Sequence, residues 1–156
     1  MTYKITGLSP TNFDHLFSLS DAELAAQRAR RVQADNDMTF PCRISLVNAP
    51  AGEELIAIHH VSHDTDTPYR SAYAILVRQG VSQAEYADTI PPVLRGRPIA
   101  LRGFDGAGLL HAARLALSDD VDTQVRALFA DPDIAYIDAH NAAHGCFAAR
   151  IERDDA

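Results

Sequence analysis

The stretch IAYIDAHNAAHGCFAARIE, at residues 134–152, decides the predicted fold. It contains two apolar-rich runs, 134–140 and 146–152, on either side of the polar, glycine-containing segment 141–145. Two runs of strand length joined by a short turn segment are typical of a β-hairpin. A connection this short joins antiparallel neighbours, since parallel strands need a crossover of about a dozen residues or more. The stretch therefore predicts an antiparallel strand pair near the end of the chain.

Strand signals of the same kind recur upstream. Asp105-Gly106 is a common hairpin turn pair, and it predicts a second hairpin that joins residues 99–104 to residues 109–117. Residues 29–34 fit no clear pattern. Further strands are predicted at residues 42–47, 55–61 and 73–78.

Helical signals are fewer and mostly short. The strongest follows Ser118-Asp119-Asp120, which favours a helix start, and Asp131-Pro132 would end that helix. Its predicted apolar stripe consists of Val121, Val125, Leu128 and Phe129. Shorter helices are predicted after Ser9-Pro10, after the capping box that begins at Ser20, and across residues 82–86.

These elements together predict an α+β fold, because strands outnumber helices and most neighbours are joined by short turns. We expect a mostly antiparallel sheet of roughly six to eight strands, with roughly two to four short helices packed on one face or end. A length of 156 residues suits one domain. No repeat or low-complexity linker divides the chain, so the prediction is a single domain over residues 1–156.

The composition limits the classes of partner. The formal net charge of −7 argues against broad binding to the phosphate backbone of nucleic acids. No apolar run approaches the roughly 18 residues of a membrane span, and the N-terminus lacks the apolar core of an export signal. The two cysteines, Cys42 and Cys146, are too few for a disulfide scaffold. We therefore expect a cytoplasmic protein with no nucleic-acid or membrane partner.

The last hairpin carries the candidate catalytic residues Cys146, His140 and Asn141. With a loop at residues 141–145, the His140 imidazole would lie opposite the Cys146 thiol and favour its thiolate. Either Asp138 or Asn141 would orient the ring, and a register change of one residue would separate the pair. The alternative interpretation is a buried, inert cysteine beside turn residues. The same register pairs Asp138 with Ala148 and Tyr136 with Arg150.

Arginine carries almost all of the positive charge, with Lys4 the only lysine. Most arginines are expected to pair with acidic side chains at the surface. Arg43 and Arg70 are the preferred exceptions, because each borders a loop where sites tend to form and a guanidinium suits a small anionic ligand. The predicted ligand-binding set also includes Cys42, Asp138, Gly145 and Arg150.

Histidines form a second group of candidate residues. With the cysteines they are ligand types for zinc, but the tight pairs typical of zinc sites are absent. The alternative is a set of surface and strand-end histidines, and no metal site is predicted. The glycines at residues 103–108 do not follow the dinucleotide-binding order, so no cofactor is expected either. The histidines concerned are His59, His60, His63, His140 and His144.

Several segments together resemble one known family. They are LFSLSD at residues 16–21, PCRISL at 41–46, PYR at 68–70 with Val77-Arg78, and HNAAHGCFAAR at 140–150. The set is similar to the bacterial domain of unknown function DUF1203, and the resemblance covers essentially the whole chain. Its most specific part is the segment at 140–150. The resemblance implies a one-domain bacterial protein of about this size and supplies no catalytic residues.

Three functional hypotheses follow. The first is a small-molecule-binding domain that acts as a cysteine-dependent acyl- or amide-transfer enzyme. In it Cys146 is the nucleophile, His140 is the base, and backbone N–H groups near Gly145 are the oxyanion donors. The second is a non-catalytic binding or protein-interaction module, a homodimer included, that uses the same face. The third is a metal-binding domain built from the histidines.

Overall fold

The computed structural model describes residues 1–154. Within this range the helices are α1 (Asp21–Ala26) and α2 (Val121–Phe129), with short 3-10 helices at Pro10–Asn12, Asp14–Ser18 and Pro92–Leu94. Neither described α-helix has the length and apolar character required to cross a membrane. The strands are β1 (Tyr3–Thr6), β2 (Ala29–Gln33), β3 (Glu54–His63), β4 (Ser71–Arg78), β5 (Glu85–Ala87), β6 (Ile99–Phe104), β7 (Leu110–Ala116), β8 (Tyr136–Asn141) and β9 (Phe147–Arg153).

The described strands form two antiparallel sheets. Six strands are arranged in the order β5-β1-β9-β8-β6-β7, and the other three in the order β2-β3-β4. The pairing is antiparallel throughout both sheets of the described chain. The predicted α+β class and antiparallel sheet are thus confirmed, with the strands divided between two sheets.

The six-stranded sheet has a different environment on each face. On one face, the predicted apolar stripe of α2 is buried against side chains of β6, β8 and β9. The other face meets the three-stranded sheet, where Phe147 of β9 joins an apolar cluster with Ile56 of β3 and Ile75 of β4. Beyond that cluster, the His63 ring of β3 stacks on Phe104 of β6 with ring centroids 4.1 Å apart. Polar side chains of β6, β8 and β9 therefore lie between the two sheets.

The predicted strand at residues 42–47 is wrong, because this segment forms a tight turn. The Leu46 N–H donates to the Cys42 carbonyl oxygen at 3.0 Å, and Leu46 has a φ of 56°. A left-handed backbone conformation interrupts an extended strand. The helical turn predicted at residues 82–86 is also wrong, because β5 pairs there with the edge of β1. Pairing with a distant strand overrode the local pattern in this case.

Gly7 packs against the turn that carries Arg43. A Cβ atom at position 7 would lie 1.9 Å from the Ile44 carbonyl oxygen, closer than any side chain allows. The adjacent Leu8 N–H donates to the Arg43 carbonyl oxygen at 2.8 Å. A residue without a side chain is required where two backbones approach this closely. The contact fixes the position from which the Arg43 side chain enters the protein.

The last hairpin forms, but its predicted register is wrong by two residues over most of its length. Asp138 lies opposite Arg150 and Tyr136 opposite Glu152, with an irregularity between Ala139 and His140. The turn is closed by the Gly145 N–H, which donates to the Asn141 carbonyl oxygen at 2.8 Å. Asn141 thus remains in β8, where the sequence analysis places the start of the loop. Periodicity along a strand fixes which residues share a face, but a bulge and a turn decide the register.

Candidate functional site

Arg43 lies at the centre of the candidate site. The turn after Pro41 directs its side chain inward, where the residue is only 2% exposed. Its Nε donates to the Phe147 carbonyl oxygen at 2.8 Å, and Nη1 donates to the Pro41 carbonyl oxygen at 2.6 Å. Nη2 lies 3.1 Å from Sγ of Cys146. No carboxylate among residues 1–154 lies within 4.0 Å of this guanidinium.

The Cys146 sulfur accepts hydrogen bonds from two side chains. Arg43 Nη2 donates at 3.1 Å, and Asn141 Nδ2 donates at 3.4 Å. A sulfur that faces two N–H donors, one of them cationic, is better matched by a thiolate than by a thiol. An isolated buried charge is costly, and a thiolate would compensate the charge of Arg43. The geometry thus places the Arg43 guanidinium and the Asn141 amide against the Cys146 sulfur.

Burial and neighbouring groups act on Arg43 in opposite directions. Burial lowers the pKa of the Arg43 guanidinium, and a negative charge on Cys146 opposes that shift. Arg97 lowers the same pKa by repulsion between like charges. Because arginine remains protonated in proteins, the burial must be offset by a partner. Among the described contacts of this guanidinium, the sulfur is the group that can carry a negative charge.

Asn141 combines a bond to the sulfur with an unused acceptor. Its backbone N–H donates to the Cys146 carbonyl oxygen at 3.0 Å, which holds the two residues together at the end of the hairpin. The residue is 9% exposed, and its Oδ1 is buried without a hydrogen-bond partner among the described residues. A buried carbonyl without a partner costs about 1–3 kcal/mol. A ligand N–H or O–H group in the adjoining cavity could satisfy it.

His140 is not paired with Cys146, so the predicted cross-strand pair is wrong. His140 lies opposite Phe147 in the sheet. Its Nδ1 contacts the Gly145 carbonyl oxygen at 3.0 Å, and its Nε2 lies 3.4 Å from Arg102 Nη1. These contacts match the tautomer in which Nδ1 donates and Nε2 accepts. Burial lowers the pKa of His140, the Gly145 contact opposes this shift, and the charge of Arg102 adds to it.

A cavity of about 570 Å³ adjoins the sulfur, and we call it the thiol cavity. Its walls are mostly apolar and are contributed by β4, the turn at Pro41 and the hairpin loop. No carboxylate of the described chain lines it, although the protein is acidic overall. Arg97 lines it and donates from Nη2 to the Met38 carbonyl oxygen at 2.9 Å. The polar side chains that line the cavity are Thr39, Arg43, Tyr73, Arg97, Asn141, His144 and Cys146.

The family model for DUF1203, described as a protein of unknown function, matches residues 39–153. The chain belongs to DUF1203. The matched region begins just before Arg43 and ends after Cys146, so both partners of the buried contact lie inside it. No curated protein and no solved structure gave a significant match.

Two predicted site residues of the DUF1203 chain, Asp138 and Arg150, bind each other. Arg150 Nε and Nη2 donate to the two carboxylate oxygens at 2.7 and 3.0 Å, and Asp138 is fully buried. The Arg150 guanidinium also lies 4.4 Å from the centre of the Tyr136 ring. Asp138 therefore does not hold the His140 ring in the way that the sequence analysis expects. Its contacts are those of a structural ion pair between two neighbouring strands of the six-stranded sheet.

The remaining predicted residues lie in different parts of the fold. Arg70 has a 61% exposed side chain and forms a 3.3 Å ion pair with Asp64, away from the thiol cavity. Cys42 is fully buried in the apolar cluster beneath the three-stranded sheet. Gly145 has a φ of 81°, and its N–H is engaged by Asn141. In this conformation that N–H is not available as an oxyanion donor.

In the part of the chain that the structure describes, the predicted histidines do not gather into a metal-sized cluster. His63 contacts the Tyr69 carbonyl oxygen and the Tyr136 hydroxyl, and the His60 ring lies between Phe13 and Phe147. Within residues 1–154, the set of three metal-ligand types that converges is a different one. It consists of His111, Asp131 and Asp133, near the surface beside α2.

The sequence analysis missed Arg97 and Arg102. Arg97 lies in the proline-rich loop before β6, so the loop criterion that selected Arg43 would also have selected it. Arg102 lies in the middle of β6, and no local signal distinguishes it from the other strand arginines. Its position beside His140 results from the pairing of β6 with β8.

Proposed function

We propose that this DUF1203 protein binds a small acyl compound in the thiol cavity and transfers its acyl group through Cys146. The supporting observation is the 3.1 Å contact of the buried Arg43 guanidinium with the Cys146 sulfur. A buried cation without a described carboxylate partner favours the thiolate, which is the nucleophilic form of cysteine. Such a preformed thiolate would need no neighbouring base, so the engagement of His140 elsewhere does not weaken the proposal.

In the proposed reaction the thiolate attacks the carbonyl carbon of an ester, thioester or amide. A carbon–sulfur bond forms, and the carbonyl electron pair moves onto oxygen. The intermediate collapses, the bond to the leaving group breaks, and the leaving group takes a proton from water. The hydroxide left from that water then adds to the carbonyl carbon of the enzyme-bound thioester, the carbon–sulfur bond breaks, and the carboxylic acid product leaves as the Cys146 thiolate is regenerated.

Among the described residues, His144 is the histidine that lines the thiol cavity, and we assign to it the proton transfers to and from water. His140 lines a neighbouring pocket and is not among the residues that line the thiol cavity. Because His144 is exposed and unconstrained by a described hydrogen bond, esters and thioesters are favoured over amides. Their leaving groups depart without strong assistance from an acid.

The first experiment measures alkylation of Cys146 and Cys42 by iodoacetamide between pH 5 and pH 9, each read by peptide mass spectrometry. Rapid labelling of Cys146 near pH 6, with Cys42 unlabelled until unfolding, is the expected result. Arg43→Met should slow Cys146 labelling at pH 6 by about tenfold or more. The matched control is Arg114→Gln, an exposed arginine on β7. Labelling of neither thiol in the folded protein would end the nucleophile hypothesis.

A second experiment tests the acyl transfer itself with 4-nitrophenyl acetate as the acyl donor. The expected result is a burst of nitrophenolate and an acetylated Cys146 peptide, both absent in Cys146→Ser. His144→Ala should leave the burst intact and slow the later steady phase. Acetylation spread over several surface residues, equal in Cys146→Ser, would count against the enzyme.

The competing proposal is a non-catalytic binding module that uses the same cavity. It is favoured by the two hydrogen bonds from Arg43 to backbone carbonyls, which tie the turn at Pro41 to the start of β9. In this case Arg43 has a structural role, and the Cys146 sulfur is only a third acceptor for its guanidinium. A Cys146 that stays inert toward both reagents, in a protein that still binds small molecules in the cavity, would support it.

We propose a reducing compartment, the bacterial cytoplasm, as the location of the protein. Both cysteines are buried free thiols. Fractionation of a bacterium that carries the protein would test this, and recovery with an oxidised Cys146 from the periplasm would contradict it.

A further inference from the structure

A second pocket, of about 470 Å³, adjoins the thiol cavity, and we call it the basic pocket. Tyr73 and His144 line both spaces, so the two are neighbours across these side chains. The charged or titratable side chains that line the basic pocket are Arg70, Arg102, His140 and His144, together with the phenol of Tyr73. No carboxylate of the described chain lines it. In a protein with a formal net charge of −7, a pocket lined by two arginines and no carboxylate attracts anions.

Arg102 is the arginine of this pocket without an acidic partner among residues 1–154. Asp138 lies opposite it on β8, but both oxygens of that carboxylate are occupied by Arg150. The contact of Arg102 within the described chain is with the Nε2 atom of His140, at 3.4 Å. A guanidinium carries five N–H donors, so most of those of Arg102 remain available to the pocket.

His140 positions this guanidinium. The residue is 3% exposed, and its Nδ1 is held by the Gly145 carbonyl oxygen at 3.0 Å. That bond leaves the Nε2 lone pair directed at Arg102, so the ring accepts from the guanidinium instead of competing for an anion. A planar guanidinium held at a fixed angle suits the bidentate recognition of a carboxylate or phosphate group.

We propose that the basic pocket binds the oxyanion group, carboxylate or phosphate, of the same small molecule whose acyl group reaches Cys146. Arg102 is the main anion ligand, Arg70 is a second cation at the exposed side, and His140 is a positioning residue. The substrate class is then an acyl compound with an anionic group at its other end. The link to Cys146 rests on the proposed function, whereas anion binding at Arg102 does not.

Anion binding is tested on the Cys146→Ser variant, where no thiol chemistry interferes. Inorganic phosphate and acetate are titrated in separate experiments, and binding is followed by NMR shifts of the His140 and Gly145 amides. We expect saturable shifts with at least one anion. Arg102→Gln should weaken that binding about tenfold or more, and Arg114→Gln should leave it unchanged. Arg114 is the matched control. It lies directly across from Leu101 on the neighbouring strand, so both side chains lie on the same face of the sheet. That face carries the core and α2, and it is opposite to the face on which Arg102 lies.

Two outcomes would overturn the anion pocket. One is the absence of saturable shifts with either anion, and the other is equal affinity in Arg102→Gln and in the parent protein. Should Arg102→Gln fail to give a folded spectrum, Arg70→Gln serves instead. Its side chain is exposed, so it leaves folding intact, and we expect a several-fold loss of affinity.

The link between the two pockets is tested with two acyl donors, 4-nitrophenyl acetate and the monoanionic 4-nitrophenyl hydrogen succinate. Cys146 should be acylated about tenfold faster by the anionic ester, and Arg102→Gln should abolish this preference. A preference that survives Arg102→Gln would overturn the link. Phosphate binding without acylation by either ester would refute the proposed function and leave the anion pocket standing. Acylation without anion binding would refute the anion pocket and leave the proposed function standing.

Discussion

The Arg43 guanidinium lies 3.1 Å from the sulfur of Cys146, two residues that are 103 positions apart in the chain. Arg43 enters from a turn beside the three-stranded sheet, and Cys146 lies one residue before β9 of the six-stranded sheet. A buried cation and a buried sulfur thus meet where the two sheets join. Either residue alone would have an ordinary structural explanation, and the proposed function rests on the contact between them.

This contact should appear as a coupling energy. We expect Arg43→Met and Cys146→Ala each to destabilise the protein, and the double variant to lose less than the sum of the two. Hydrogen bonds to charged groups contribute about 1.5–3 kcal/mol, so a coupling of about 1–2 kcal/mol is expected in a double-mutant cycle measured by urea unfolding. Free energies that add within about 0.5 kcal/mol would show that the two residues act independently.

Gly7→Ala should disturb the site from a distance. Its new Cβ atom would collide with the Ile44 carbonyl oxygen, which belongs to the backbone next to Arg43 and cannot rotate away. We expect a destabilisation of about 2 kcal/mol and slower alkylation of Cys146, since the turn must shift. Gly106→Ala is the matched control, because nothing lies within 4 Å of its added Cβ atom. Equal unfolding free energies of Gly7→Ala and Gly106→Ala would show that the turn carrying Arg43 can shift without destabilising the protein.

Stability should decline as the pH falls below about 6.5, the ordinary pKa of histidine. Burial lowers the pKa of His140 and of His60, so the folded state binds fewer protons than the unfolded state in the window below that value. The free energy of unfolding therefore rises with pH in this window, by up to about 1.4 kcal/mol per pH unit for each proton. Above the window the whole of this stabilisation is present. The charged groups that affect His140 are Arg102, Asp138 and Arg43.

Urea unfolding at several pH values between 5 and 8 measures this effect. His140→Gln should reduce the slope of unfolding free energy against pH by up to the contribution of one proton, because glutamine does not titrate. His60 should account for much of the remaining slope. An identical slope in His140→Gln and in the parent protein would mean that His140 becomes protonated without penalty in the folded state.

The ion pair of Asp138 with Arg150, within the six-stranded sheet, should be sensitive to the loss of one partner. Arg150→Met would leave the Asp138 carboxylate, which is fully buried, without its two hydrogen bonds. We expect a loss of about 2 kcal/mol in urea unfolding, and partial recovery when Asp138→Asn is added. Arg70→Met breaks an exposed pair and should cost less than about 1 kcal/mol. Equal losses of unfolding free energy in Arg150→Met and Arg70→Met would mean that water reaches the Asp138 carboxylate.

Much of the architecture could be predicted from local sequence. The capping box at Ser20 forms with both of its hydrogen bonds to and from Glu23, at 2.7 and 3.2 Å. The apolar stripe of α2 is buried as its spacing indicates. Both predicted hairpins exist, and strands β3 and β4 lie where apolar runs predict them. In each case the signal is local, since side-chain periodicity and capping depend on neighbours in the chain.

Tertiary structure alone decided the composition of the candidate site. The turn at Cys42–Leu46 replaced a predicted strand because Gly7 and Leu8, far away in sequence, pack against it. A bulge near His140 shifted the hairpin register and separated that ring from Cys146, whereas the pairing of β6 with β8 placed it beside Arg102. Local periodicity specifies the face on which a side chain lies. It does not specify which distant backbone or charge meets that face, because this depends on the burial and hydrogen-bonding requirements of the whole chain.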